Sequence, residues 1–139
     1  MKKRFNFFEK EIFKEEPKIR TFIIKNLKKY LKEKTKFKLK FNPRIKKLKN
    51  YHGFKVYSVN GELIRDKIDI DFIMGGNGSR YVYIPLNEIW VEKPYSKGKE
   101  LNYVLLHEYI ELNLMKHGMN YSEAHDLASA KELMMRRKS

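Results

Sequence analysis

The sequence predicts an α+β fold: N-terminal helices, a small, mostly antiparallel twisted sheet, then two C-terminal helices. Three observations carry this reading. Apolar residues recur at helical spacing over 18–34 and again from residue 99 onward. Between these stretches lie short runs rich in Val, Ile, Phe and Tyr, separated by Asn-Gly and Gly-rich turn signals. The chain has 139 residues, 42% of them hydrophobic, enough for one modest core and too few for two domains. Residues 1–139 are therefore read as a single domain, with a basic helical and strand part over 1–50 and the sheet and last helices over 51–139.

Residues 5–15 form a short amphipathic piece with Phe5, Phe8 and Ile12 near helical spacing. Pro17 suits the start of a second helix. From Lys18 to about Lys34, Ile19, Phe22, Ile23, Leu27, Tyr30 and Leu31 make one apolar face, with lysines elsewhere on the wheel. The period then changes to two: Phe37, Leu39 and Phe41 alternate with Lys36, Lys38 and Lys40, which predicts a half-buried strand ended by Asn42-Pro43. Residues 44–50 are basic and weakly patterned, as in a loop. Strands are expected at Phe54–Val59, Ile68–Met74, Arg80–Ile84 and Glu88–Val91. Asn60-Gly61 and Gly75-Gly76-Asn77-Gly78 are the turns between them. The Gly-rich run lacks the Lys-Ser/Thr of a phosphate loop and reads as a flexible turn. Pro94–Gly98 is a turn. Lys99–His117 is a helix stopped by Gly118, and Tyr121–Arg136 is a second, with Asn120 and Glu123 spaced as a capping box.

Composition excludes several classes. With no cysteine, there is no disulfide framework, no thiolate metal site and no thiol catalysis. No run of about 18 apolar residues occurs, so no transmembrane helix is expected. The apolar stretch after Lys2, Lys3 and Arg4 is broken at once by Glu9, Lys10 and Glu11, unlike a secretory leader, and a cytoplasmic location is expected. The oligomeric state is left open.

The net charge of +14 resides entirely in the first 50 residues, which carry 19 Lys/Arg and 5 Asp/Glu; the remainder carries 12 of each. Such a surface attracts nucleic acid, and basic residues 18–49 are the candidate contact. The excess is mostly lysine, however (24 Lys against 7 Arg), which suits compositional bias better than bidentate base or phosphate recognition.

The chemistry-bearing residues lie near the C-terminus. His52 precedes Gly53 in a turn region and is expected to face solvent. His117 sits at a helix C-terminus, where the dipole favours a cation. His107 begins His107-Glu108-Tyr109-Ile110-Glu111. On a helix, Glu111 lies about 40° and Glu108 about 100° from His107, so His107 and Glu111 can grip one ion. All three lie nearly opposite the stripe of Asn102, Asn113 and Lys116, on a stretch where 10 of the 15 residues Leu101–Met115 are apolar. Buried carboxylates need a cation or protonation, and a metal would serve both of them and the imidazole. His125 lies one turn into the last helix, across a tight connection, with Glu132 seven residues on and nearly on its face. Leu127, Ala130 and Met134 lie opposite and can pack. Trp90 and Ile89 read as packing residues. Asp69 and Asp71 share one strand face and are expected to be exposed. Tyr81, Tyr83 and Tyr103 are candidates to reach a cleft.

Tyr83-Ile84-Pro85, Glu88-Ile89-Trp90-Val91 and Leu105-Leu106-His107-Glu108-Tyr109-Ile110-Glu111 together resemble the active-site half of a zincin-type metallopeptidase. The resemblance covers about residues 80–130, with no counterpart for the N-terminal third. It implies His107 as a metal ligand and Glu108 as the base that takes a proton from metal-activated water. It also implies an edge strand, Glu88–Val91, able to pair with an extended peptide or protein substrate. The motif departs from the family in being HExxE: Glu111 stands where a second His is usual. The set His107, Glu111 and His125 still supplies two imidazoles and one carboxylate, a catalytic zinc donor set in permuted order. The same donors suit mononuclear iron, and a site kept only as a structural staple is a further alternative. Glu132 is either a fourth ligand or, as favoured here, the carboxylate that orients His125 through its other ring nitrogen. Without a metal, the two histidines would hydrogen-bond Glu111 or Glu132 in the core. The sequence thus supports a small zincin-like, metal-dependent hydrolase, with a basic nucleic-acid-binding protein as the alternative.

Overall fold

The computed structural model describes residues 17–138, with side chains from residue 27. The amphipathic segment expected over 5–15 lies outside the described residues. The elements run α1 (Pro17–Lys36), β1 (Arg44–Tyr51), β2 (Phe54–Val59), α2 (Gly61–Lys67), β3 (Gly75–Asn77), β4 (Glu88–Glu92), a 3-10 turn (Lys93–Tyr95), α3 (Gly98–Lys116) and α4 (Tyr121–Lys138). The sheet order is β1-β2-β4-β3. β1 pairs antiparallel with β2, β2 parallel with β4, and β4 antiparallel with β3. The fold is α+β with a mixed sheet, two of whose three pairings are antiparallel. Among the described residues no helix is long and apolar enough to cross a membrane.

β4 is the spine of the core. All five of its residues are buried. Ile89 and Val91 pack with Val56, Val104, Leu105 and Leu112 under α3. Trp90 points the other way, into Val59, Ile64, Phe72 and Ile84. The strand therefore lies inside the sheet, not at its edge as the zincin resemblance implied for Glu88–Val91; β3 takes the edge beside it. The two glutamates that flank Trp90 on its own face are each met by an arginine. Arg44 makes two bonds to Glu88, at 2.8 and 3.1 Å, and Arg65 makes two to Glu92, at 3.1 and 2.8 Å.

Four expectations for the chain between α1 and β4 are corrected. Residues 37–41 form no strand: the lysines stay exposed and Leu39 packs into the Trp90 side of the core, so the two-residue period marks anchoring without a ladder. Residues 44–50, expected as loop, are β1. Register shifts at Arg44/Lys46 and Lys47/Lys49 break the alternation by which a strand is recognised. Exposed Lys46, Lys47 and Lys49 line this strand at the sheet edge, where charge discourages edge-to-edge pairing. Asn60-Gly61 is a helix start rather than a hairpin turn, because the Asn60 side chain accepts from the Leu63 N–H at 3.0 Å. Segments 68–74 and 80–84 are turns. Ile70 and Ile73 are exposed while Phe72 is buried, so no face alternates. Asp69 and Asp71 consequently share no strand face; Asp69 accepts from Asp71 N–H and from the Tyr83 hydroxyl.

The real hairpin turn is His52-Gly53, with φ 48° and 87°, the pair of positive values that a two-residue turn of right-handed twist requires. His52 is half-buried rather than solvent-facing, its ring 4.4 Å from Tyr51 and 4.6 Å from Tyr109. The N-terminal helix pins the turn-rich segment after β3. The Tyr30 hydroxyl donates to Gly78 O at 2.8 Å, and Lys34 Nζ donates to the carbonyls of Tyr81 (2.9 Å), Val82 (3.2 Å) and Ile84.

Glu92 supports a pH prediction. Its hydrogen bonds from Arg65 hold the carboxyl below its usual range; burial opposes this, and the Met74 N–H and the Arg65 charge reinforce it. A carboxyl depressed in the folded state contributes stability above its unfolded pKa, and that contribution disappears as pH falls through the folded value. Thermal unfolding of Arg65→Met should therefore start below wild type at pH 7 and fall less steeply below about pH 4.3. Parallel curves for the two proteins would contradict the assignment.

Candidate metal centre

α3 and α4 are joined by Gly118–Asn120, with Gly118 at φ 103°. The Asn120 side chain caps α4 by accepting from Glu123 N–H at 2.9 Å. Ile110, Leu114, Met119, Ala124 and Ala128 pack the two helices together. The small alanines at 124 and 128 let the helices approach. Ala130 and Met134, expected to pack, are exposed. Leu127 does pack against this cluster.

This packing brings His107, Glu111 and His125 together. His107 Nε2 lies 3.0 Å from Glu111 Oε2 and 3.2 Å from His125 Nδ1, and His125 Nδ1 lies 3.1 Å from Glu111 Oε2. The three donor atoms make an almost equilateral triangle. Tetrahedral zinc, with bonds of about 2.0–2.1 Å, needs donors roughly 3.3 Å apart, so this set accepts the ion with shifts of a few tenths of an ångström. His107 and Glu111 are buried and His125 is partly exposed, which leaves one side open.

Glu132 is placed differently from expectation. Its Oε1 lies 2.9 Å from Nδ1 of His107, not from His125. Its Oε2 accepts from Arg136 Nε at 2.8 Å, and Arg136 also grips Glu100. Where Nδ1 of His107 donates to the Glu132 carboxyl oxygen, Nε2 is left facing Glu111 and His125. A cation must then reconcile the facing acceptors. Burial alone would lower the His107 pKa, but the Glu111 hydrogen bond and the charges of Glu108, Glu111 and Glu132 outweigh it and raise the pKa to about 9. One proton thus satisfies the cluster when no metal is bound, and a metal must displace it.

Glu108 is buried one residue along from His107. Burial, with the charge of Glu111 adding, pushes its carboxyl up to about 8, against the opposing pull of His107 and Asn77. Asn77 is a residue that sequence reasoning missed. It is fully buried, and its Nδ2 donates to Glu108 Oε1 at 2.9 Å and to Glu111 Oε1 at 3.3 Å. Its Oδ1 accepts from the N–H groups of Ser79 and Arg80. The run Gly75-Gly76-Asn77-Gly78 is a packed edge strand and turn, not a flexible loop. A Cβ on Gly75 would lie 2.8 Å from Val104 Cγ1, and one on Gly76 2.7 Å from the Tyr81 ring. A glycine run within a strand signals such close approach, and that reading would have found the site's edge.

A cleft of about 390 Å³ opens over the triad, lined also by Glu108, Met74 and Ser129. Met74 is held at φ 62° with its N–H on Glu92 Oε1 and its carbonyl accepting from the Glu92 N–H. Of the three tyrosines proposed for a cleft, Tyr81 lines it. Tyr83 is buried on Asp69, and Tyr103 lies beneath Arg136, 4.3 Å from its guanidinium. Tyr121, not anticipated, lines the cleft, with its hydroxyl 3.4 Å from His125 Nδ1. Burial pushes the Tyr81 and Tyr121 hydroxyls up from the ordinary tyrosine value, so both stay protonated donors at neutral pH. His117 caps α3, its ring 2.8 Å from the Asn113 carbonyl and away from the triad. No family model, curated protein or solved structure matches the chain.

Proposed function

We propose that the chain is a small, zincin-like, metal-dependent hydrolase acting on amide bonds of peptides. The observation that carries this reading is the triangle of His107 Nε2, Glu111 Oε2 and His125 Nδ1, with sides of 3.0–3.2 Å, at the floor of an open cleft. Two imidazoles and one carboxylate are a donor set typical of catalytic zinc, with iron as the alternative ion. A bound divalent ion would supply Lewis acidity and bring the pKa of a water toward neutrality.

The chain's own residues divide the remaining work. Glu132 holds His107 with Nε2 facing Glu111 and His125. Glu108, oriented by Asn77, is the base: a divalent ion beside it would favour its ionised form, which takes up a proton and returns it to the leaving amine. The Tyr81 and Tyr121 hydroxyls are donors available to a carbonyl oxygen that gains negative charge. Met74 and Gly75, at the start of the edge strand β3, line the cleft, and an extended peptide would lie along them.

The reading is tested with chelator-stripped protein and quenched-fluorescent peptide pools. Hydrolysis should be absent without metal and should return with about one equivalent of zinc or ferrous iron. Zinc uptake without hydrolysis in any pool would leave the metal as a staple and defeat the enzymatic reading.

A further inference from the structure

Arg80 stands out among the groups around the cleft. Among the described residues, and apart from the histidines, it is the one basic residue lining that space, against Asp71, Glu108, Glu111 and Glu132. Its guanidinium carbon lies 3.9 Å from the centroid of the Tyr121 ring and 5.0 Å from that of Tyr81. The guanidinium hydrogen-bonds the Tyr121 side chain, while its Nε is buried with no hydrogen-bond partner among the described residues. Other arginines of the described residues pair with carboxylates: Arg44 with buried Glu88, Arg65 with buried Glu92, Arg136 with partly buried Glu132. Arg80 is held in place without such a pair. Its backbone N–H bonds the same Asn77 side chain that holds Glu108, and Lys34 fixes the carbonyls just beyond it. The Tyr81 ring beside it in turn lies close against Gly76, where even a methyl group would collide.

A partly desolvated guanidinium with no carboxylate beside it is costly, and a buried Nε without a partner calls for an explanation. Arginine's planar fork matches a carboxylate through two parallel hydrogen bonds, and stacked rings fix its plane while leaving its edge free. Glu108 and Glu111 are already held by Asn77 and by the histidines, so neither meets this need.

Resting on the hydrolase reading above, we propose that Arg80 is a substrate-anchoring residue, and that the cleft takes peptides bearing a carboxylate close to the bond presented to the triad. The carboxylate comes either from the peptide's own C-terminus or from an Asp or Glu side chain.

The test separates this from metal binding by being run on both zinc-free and zinc-loaded full-length protein. Three pools of N-acetyl tripeptides are compared by equilibrium retention: uncharged residues with a free C-terminal acid, the same residues as C-terminal amides, and amides with a central Asp or Glu. At least one acid pool should bind roughly ten- to a hundredfold more tightly than the neutral amides, with or without zinc. Which acid pool is favoured identifies the source of the carboxylate. Arg80→Gln should erase the preference and leave the weak binding of neutral amides in place. Arg80→Lys, which keeps the charge and loses the fork, should recover only part of it. Equal retention of all pools by wild type, including no detectable retention of any, overturns the proposal, as does a preference that survives in Arg80→Gln. Zinc uptake without an acid preference defeats the anchor alone; an acid preference without zinc uptake defeats the metal reading alone.

Discussion

Glu108→Gln is expected to lower peptide hydrolysis by about 10²–10⁴-fold while the protein still takes up one metal ion. The substitution removes proton-accepting capacity and nearly preserves shape. The introduced amide still offers an oxygen to Asn77 Nδ2, which now donates to Glu108 at 2.9 Å. Folding should not suffer. The native carboxyl is buried, its pKa raised to about 8 by burial and by the charge of Glu111, so a neutral isostere relieves a cost. The thermal midpoint should hold or rise. Turnover within a few-fold of wild type would remove Glu108 from the proton transfer. A collapse of stability would show that its role is structural.

The second large effect concerns Glu132. Glu132→Gln should weaken zinc binding by roughly 10–100-fold, the usual consequence of losing the carboxylate behind a ligating histidine. The mechanism is specific: Glu132 Oε1 lies 2.9 Å from Nδ1 of His107, fixing both the tautomer and the ring plane. Glutamine can turn either its oxygen or its amide nitrogen to the ring, and it removes a negative charge that offsets the ion. Asp126→Asn, an exposed change on the same helix, should leave affinity untouched. Equal affinity for Glu132→Gln and wild type would show that His107 needs no support from α4.

Much of the site was legible because it depends on helical geometry. His107, Glu108 and Glu111 are buried on α3 and Asn102 and Lys116 are exposed, as the wheel requires. The start of α4 follows from Asn120, whose side chain does cap it. Glu132 was misassigned for a tertiary reason. Its seven-residue offset from His125 puts both on one face, but the rotation of α4 against α3 decides which imidazole each one meets. In the sheet, period alone misled. Alternating Lys and Phe over 37–41 imitated a strand, while bulges concealed the real one at Arg44–Tyr51. Asn77 and Arg80 were hidden because a glycine run suggests freedom of the backbone, whereas here it marks backbone packed tightly enough that side chains do not fit.

The central claim is that His107, Glu111 and His125 hold one divalent ion, and the most direct measurement is zinc per chain. Protein stripped with chelator, reloaded with zinc and freed of excess by gel filtration is measured by elemental analysis, beside His107→Ala and His125→Ala. The account predicts about one zinc per wild-type chain and almost none in either variant. A wild-type chain that takes up no zinc and no ferrous iron would contradict it. The triangle would then be a hydrogen-bonded cluster closed by the proton on His107.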